Sequence, residues 1–241
     1  MKPLAPAASY YAIRTLAMAT MLIDHIGVVF CPDVEVLRAV GRIAYPLYAF
    51  GIACGWMHTR SRWQYILRLF LVALMAQMFW PWQGCNVVFG FVAVLVWMAW
   101  MQPRIVALMQ APPRAMDALA IAASWGALCA ASVLLGVDYA FETMVYVPSN
   151  CALLWMMHTH GRAPVWLPSL LYVAVSALLA IPGVTQPRIH PLLWGIALLA
   201  PAAIAQHKEG KVAVAPWFHH LYFWFYPAHL ALLFIAAAAI G

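Results

Sequence analysis

The sequence predicts an all-α fold, a polytopic transmembrane helical bundle, and three observations carry that prediction. Hydrophobic residues make up 66% of the chain and charged residues only 8%, against roughly 25% charged in an ordinary soluble domain. Mean hydropathy is +0.86. The apolar runs are continuous and about 20 residues long, the length a helix needs to cross ~30 Å of hydrocarbon, whereas barrel strands would give alternating segments of about 10 residues.

Reading apolar runs against polar or Pro-rich breaks gives about nine spans, with eight or ten as the bounds: roughly 11–30, 37–56, 65–82, 86–101, 116–136, 143–157, 165–182, 190–206 and 216–240. The sixth is short and polar at its ends. Residues 1–241 read as one integral-membrane domain, because no loop is long enough to fold alone. No internal repeat of the transporter kind is visible. A cleaved signal peptide is not expected, since Arg14, Asp24 and His25 interrupt any apolar core in the first 30 residues.

The net charge of +6 comes from thirteen Lys and Arg scattered singly between spans. That distribution argues against a nucleic-acid partner and for a topological role. The loops "HTRSR", "QPRIVALMQAPPR", "HTHGR" and "HKEGK" are basic and fall on one side, while the intervening loops carry Asp33, Glu35, Asp138 and Glu142, with Arg188 in "TQPRIH" the exception. Positive charge accumulates on the cytoplasmic side. The expected placement is therefore a membrane, lipids as immediate partners, with the N-terminus cytoplasmic and the C-terminus exterior; the family resemblance given below implies that this is a bacterial inner membrane. Five cysteines show no CxxC or metal-ligand spacing, and their odd number argues against a complete disulfide framework. They read as packing residues, and no metal is expected.

The first span, "IRTLAMATMLIDHIG", holds three side chains foreign to a bilayer. Arg14 and His25 stand eleven residues apart, which is three helical turns plus ~20°, so one face carries both, about 16 Å apart along the axis. Asp24 is rotated ~100° from His25 and needs a partner on another helix. The second span brings Arg42, in "VGRIAYPLYAF", to the depth of Asp24 and His25. Intramembrane charges are costly unless paired or facing a polar cavity, so an Asp24–Arg42 contact, or a site containing both, is expected. A buried ion pair that only fixes helix packing explains those two residues but leaves His25 and its alignment with Arg14 unexplained.

Near the cytoplasmic end stand Arg14, Arg60, Arg62 and Arg68. Arg60 and Arg62 read as side chains snorkelling to headgroups. Arg14 and Arg68 lie deeper and suit an anionic cosubstrate, because the guanidinium fork matches phosphate oxygens. His158, His160 and His207 read as interfacial, and His219 and His220 precede an aromatic belt in "FHHLYFWFYPAHL". His229, mid-span behind Tyr226-Pro227, reads as a satisfied packing histidine. No two spans offer a depth-matched histidine pair for haem.

The spacing Arg14-x10-His25 resembles the R-x10-H signature of the membrane acyltransferase-3 superfamily, in which the histidine is implicated in acyl transfer. The continuation "MLIDHIG", "VGRIAYPLYAFGIACGWMHTRSRWQYILRLFLVALMAQ" and "GCNVVFG" resembles the TraX family, whose namesake acetylates the N-terminal amine of conjugative pilin. The similarity covers about residues 11 to 91 well and returns weakly at "GVDYAFETM" and "FYPAHLALL". The family often has Phe at Tyr45 and Tyr48, Ala140 replaces an expected Gly, and residues 92 to 215 otherwise match only as apolar spans.

That resemblance implies an integral-membrane acetyltransferase taking acetyl from cytoplasmic acetyl-CoA to an amine or hydroxyl presented from the exterior. Arg14 and Arg68 are then expected to bind CoA phosphates, and His25 to act as general base or as a nucleophile carrying acetyl. Asp24 would hold the His25 tautomer only by contact across helices, and Arg42 would stabilise the developing oxyanion. Asn86 and Asp138 are candidate acceptor contacts. The acceptor is open among pilin, a surface glycan and a lipid headgroup amine, and so is the choice of N- or O-acetylation. Two other classes share the composition: a small proton-coupled permease and a noncatalytic pilus assembly factor.

Overall fold

The computed structural model describes residues 8–80, 83–110, 114–160 and 216–240. Among them are α-helices and no strand: α1 (Ala8–Phe30), α2 (Glu35–Gly41), α3 (Ala44–His58), α4 (Arg62–Gln77), α5 (Val87–Gln110), α6 (Ala115–Leu134), α7 (Ala140–His160) and α8 (Pro216–Ile240). The expected all-α class holds.

The expected count of about nine spans is not supported. Four helices among the described residues are long and apolar enough to cross a membrane: Tyr11–Phe30, Val87–Leu108, Ala115–Leu134 and His220–Ile240. The second expected span, 37–56, is two helices. Pro46 has no N–H to offer the carbonyl of Arg42 and its ring crowds that carbonyl, so α2 closes at Gly41 and α3 starts at Ala44. At ~1.5 Å per residue, the 15 residues of α3 and the 16 of α4 fall short of the ~30 Å hydrocarbon core. The expected spans at 165–182 and 190–206 lie outside the described residues.

α1 packs on α2, α3 and α8; α3 packs on α7, α8 on α4, and α5 lies against α4, α6 and α7. Glycines let α2 approach α1 closely: a Cβ on Gly41 would overlap Asp24, and one on Gly27 would come within 2.8 Å of Leu37 Cβ. α3 is the central element, with Ala49, Phe50, Ala53 and Trp56 all buried. α6 is the most exposed helix, turning Met116, Leu119, Val133 and Leu134 outward, as lipid-facing residues would.

Two loops set the start of α7. Cys85 N donates to Gly136 O (3.2 Å) and Asp138 N donates to Cys85 O (2.9 Å), which ties the entrance of α5 to the turn before α7. Gly84 and Gly136 both have positive φ, and a Cβ on Gly84 would strike the Gly136 carbonyl. Glycine is required there. Tyr139 is the one described non-glycine residue at positive φ, 53°, a conformation that costs of order 1–2 kcal/mol for an ordinary side chain.

Candidate active site

A cavity of about 1070 Å³ runs between α1, α2, α3, α4, α5, α7 and α8. Its lining includes Arg14, Asp24, His25, Arg42, Arg68 and Asp138, with Arg14 and His25 held ~16 Å apart along α1. Six of the seven expected site residues therefore share one hollow. The seventh, Asn86, does not line it. Its Nδ2 donates to Ala73 O and Gln77 Oε1 (both 2.9 Å), and its Oδ1 accepts from Val88 N (3.1 Å), so it caps α5 and bolts it to α4. The side chain is fully buried in that work.

The Arg14 end is aromatic as well as basic. The Arg14 guanidinium carbon lies 4.4 Å from the centroid of Tyr222, which stacks on Tyr48 at 5.1 Å. Gly51 and Gly55 on α3 leave room for the hydroxyl ends of Tyr222 and Tyr65. Arg14 is half-buried, whereas Arg68 is exposed. An arginine facing an aromatic ring keeps its charge partly desolvated yet stabilised by the ring quadrupole.

At the other end the expected Asp24–Arg42 pairing takes a different form. Asp24 Oδ2 forms its ion pair with Arg38 (3.1 Å), one turn before Arg42 on α2. The helix break at residues 42 and 43 lets the Arg42 guanidinium lie over the Tyr139 ring instead, at 5.3 Å. Asp24 and Arg42 thus share the site, both buried, with the Asp24 carboxylate in ion-pair contact with Arg38. Tyr139 in turn stacks on Tyr45 with centroids 4.3 Å apart and planes within 7°, and Tyr45 Oη lies 3.1 Å from Thr143 Oγ1. These contacts hold the strained Tyr139 backbone in place. Burial pushes the Asp138 carboxyl up to about 6, against the opposing pull of Arg42.

His25 meets a partner that was expected only to pack. Its Nδ1 is 2.6 Å from Nε2 of His229 on α8, and the rings stack with centroids 4.8 Å apart. His229 Nδ1 is in turn 2.6 Å from the carbonyl oxygen of Phe225. Both histidines are buried, at 6% and 4% exposure. The expectation that no two spans carry depth-matched histidines is therefore corrected. Among the described residues no group of three His, Cys, Asp or Glu side chains gathers as metal ligands.

Chemically the site offers the Arg14 cation at one end, an imidazole at the other, and Arg38, Arg42, Asp24, Asp138 and Glu142 among the remaining lining. Sequence reasoning overlooked Arg38, Tyr139 and Tyr222. Arg38 carried a usable signal, since it lies four residues from Arg42 and hence on the same helical face.

Residues 9–237 match the family described as TraX protein. The chain is 25% identical over 250 aligned positions to the probable fimbrial assembly protein FimC, serogroup H1, of Dichelobacter nodosus, covering 93% of this chain and 94% of that protein. It is 29% identical over 140 residues to protein TraX of Escherichia coli, covering 53% of this chain and 54% of that protein. A shorter match, 45% over 38 residues, joins 16% of this chain to 15% of an uncharacterized protein of Rickettsia prowazekii (strain Madrid E). No solved structure matches. With the family match running through nearly every helix just described, this chain belongs to the TraX protein family.

Proposed function

We propose that this protein is an integral-membrane acetyltransferase that moves acetyl from acetyl-CoA to an amine or hydroxyl acceptor, with a pilin N-terminus as one acceptor and a surface glycan as another. The observation that carries the reading is the single cavity joining Arg14 and Arg68 to His25. Its volume of about 1070 Å³ lies just above the ~300–1,000 Å³ range usual for ligand sites. The ~16 Å between Arg14 and His25 along α1 suits an extended pantetheine arm.

In this reading Arg14 and Arg68 hold the CoA phosphates from the cytoplasmic side of a bacterial inner membrane. His25 takes the proton from the acceptor nitrogen or oxygen as that atom attacks the thioester carbonyl, or first accepts the acetyl itself. Arg42 donates to the oxygen that becomes negative in the tetrahedral intermediate, and CoA leaves as its thiol once the proton is passed on. Asp24, paired to Arg38, sets the charge around Arg42, and Asp138 contacts the acceptor. Asn86 has no place in the proposal.

Replacing His25 with Ala should abolish transfer of radiolabelled acetyl in membranes while expression is intact; retained transfer would remove His25 from the mechanism. The name of the Dichelobacter relative, a probable fimbrial assembly protein, favours a second reading, a noncatalytic assembly factor whose charges only lock helix packing. Such a factor would bind no acetyl-CoA. A proton-coupled permease would instead move solute into liposomes.

A further inference from the structure

We propose that His229 is the positioning residue that fixes the tautomer of His25, so that Nδ1 of His25 carries the proton and Nε2 is the unprotonated nitrogen. The inference deepens the acetyl-transfer reading and rests on it for the catalytic consequence. The tautomer itself follows from geometry.

The assignment starts at the far end of the chain of contacts. A backbone carbonyl only accepts hydrogen bonds, so at 2.6 Å from Phe225 O the His229 Nδ1 must be the protonated nitrogen. A neutral imidazole holds one proton. His229 Nε2 is then the acceptor, and at 2.6 Å from it His25 Nδ1 must donate. The same accounting leaves Nε2 of neutral His25 unprotonated, on the ring of a residue that lines the cavity. Without an acceptor at this position either nitrogen of His25 could carry the proton, and the form protonated on Nε2 is useless as base or nucleophile there.

The fold supports the arrangement at both ends. Tyr226 packs at 5.8 Å from His229 and 6.1 Å from His25. Stacking of the two imidazoles at 4.8 Å and of Phe225 on His229 at 4.8 Å restricts ring rotation. A histidine kept only for packing would need none of these directed contacts.

The test uses full-length protein in detergent, labelled with ¹⁵N-histidine, with the His25 signals assigned by their loss in His25→Gln. The proposal expects His25 Nδ1 protonated and Nε2 bare; a His25 protonated on Nε2 overturns it, whatever the enzyme does. In acetyl transfer, His229→Leu should lower kcat by 100-fold to ~10⁴-fold, the scale set by a wrong histidine tautomer elsewhere, with KM for acetyl-CoA little changed. His229→Gln should recover most of that loss, because the Gln carbonyl oxygen reaches as far as Nε2 and accepts the same hydrogen bond. Wild-type kcat in His229→Leu would overturn the positioning role, and so would equal losses in Leu and Gln variants that both elute as folded protein. If the wild type transfers no acetyl at all, the acetyl-transfer reading fails, while the nitrogen spectrum still decides the tautomer.

Discussion

Gly41→Ala is a small substitution that should have a large effect, because of where α2 crosses α1. An added Cβ would stand 2.5 Å from Asp24 Cα and closer still to Asp24 Cβ, whereas carbon atoms in contact settle at about 3.5–4.0 Å. α2 must therefore retreat by ~1 Å or more from the atoms that aim Asp24 at Arg38. Overpacking of this kind costs about 1–3 kcal/mol, and the upper end applies because the clash reaches backbone and not the tip of a flexible side chain. For a chain of 150–250 residues each kcal/mol moves Tm by about 2–4 °C, so a loss of roughly 6–12 °C is expected. Thermal unfolding in detergent, followed by size-exclusion fluorescence, measures it. Gly126→Ala on α6 is the control: nothing lies within 4 Å of its added Cβ, and Ala is the better helix former by about 1 kcal/mol. A Gly41→Ala protein as stable as Gly126→Ala would refute the close α1–α2 crossing.

Three further outcomes are expected. Asn86→Ala removes three side-chain hydrogen bonds, two of them buried, and should cost about 2–4 kcal/mol in unfolding experiments, with acetyl-CoA affinity unchanged in the folded fraction; weakened affinity would return Asn86 to the site. Arg14→Ala with Arg68→Ala should weaken acetyl-CoA binding by tenfold or more in calorimetry, and unchanged binding would refute the phosphate assignment. Because Asp138 is pushed up to about 6 by burial, the folded protein holds a proton that the unfolded chain releases near pH ~3.9. Its contribution to stability is complete below that pH and lost as pH rises through about 6. Tm of Asp138→Asn should fall less than wild type between pH 4 and 7, and parallel curves would contradict the burial argument.

What could be read from the chain was local. Arg14 and His25 share a face because helical periodicity within one segment fixes it, and both line the cavity. Partners across helices were less legible. Depth matching brought Arg42 to Asp24, but the break imposed by Pro46 gives the carboxylate to Arg38 and turns Arg42 over Tyr139. His229 lies 204 residues from His25, and no periodicity links segments that far apart. Asn86 was misjudged for a different reason: a polar residue at a helix entrance looks the same whether it faces a ligand or caps the helix. An Asn just before an apolar helical run is itself a capping signal, and that signal was available. The span count failed because α3 and α4 are apolar in pattern yet short, which hydrophobic runs alone do not separate from spanning helices.

The most direct measurement is acetyl transfer by the purified protein in proteoliposomes, with radiolabelled acetyl-CoA on one side and a peptide bearing a free N-terminal amine, or a glycan, on the other. The account predicts label on the acceptor with wild type and none with His25→Ala at equal protein. Binding of no acetyl-CoA and transfer to no acceptor by well-folded wild type would contradict it and leave the assembly reading in its place.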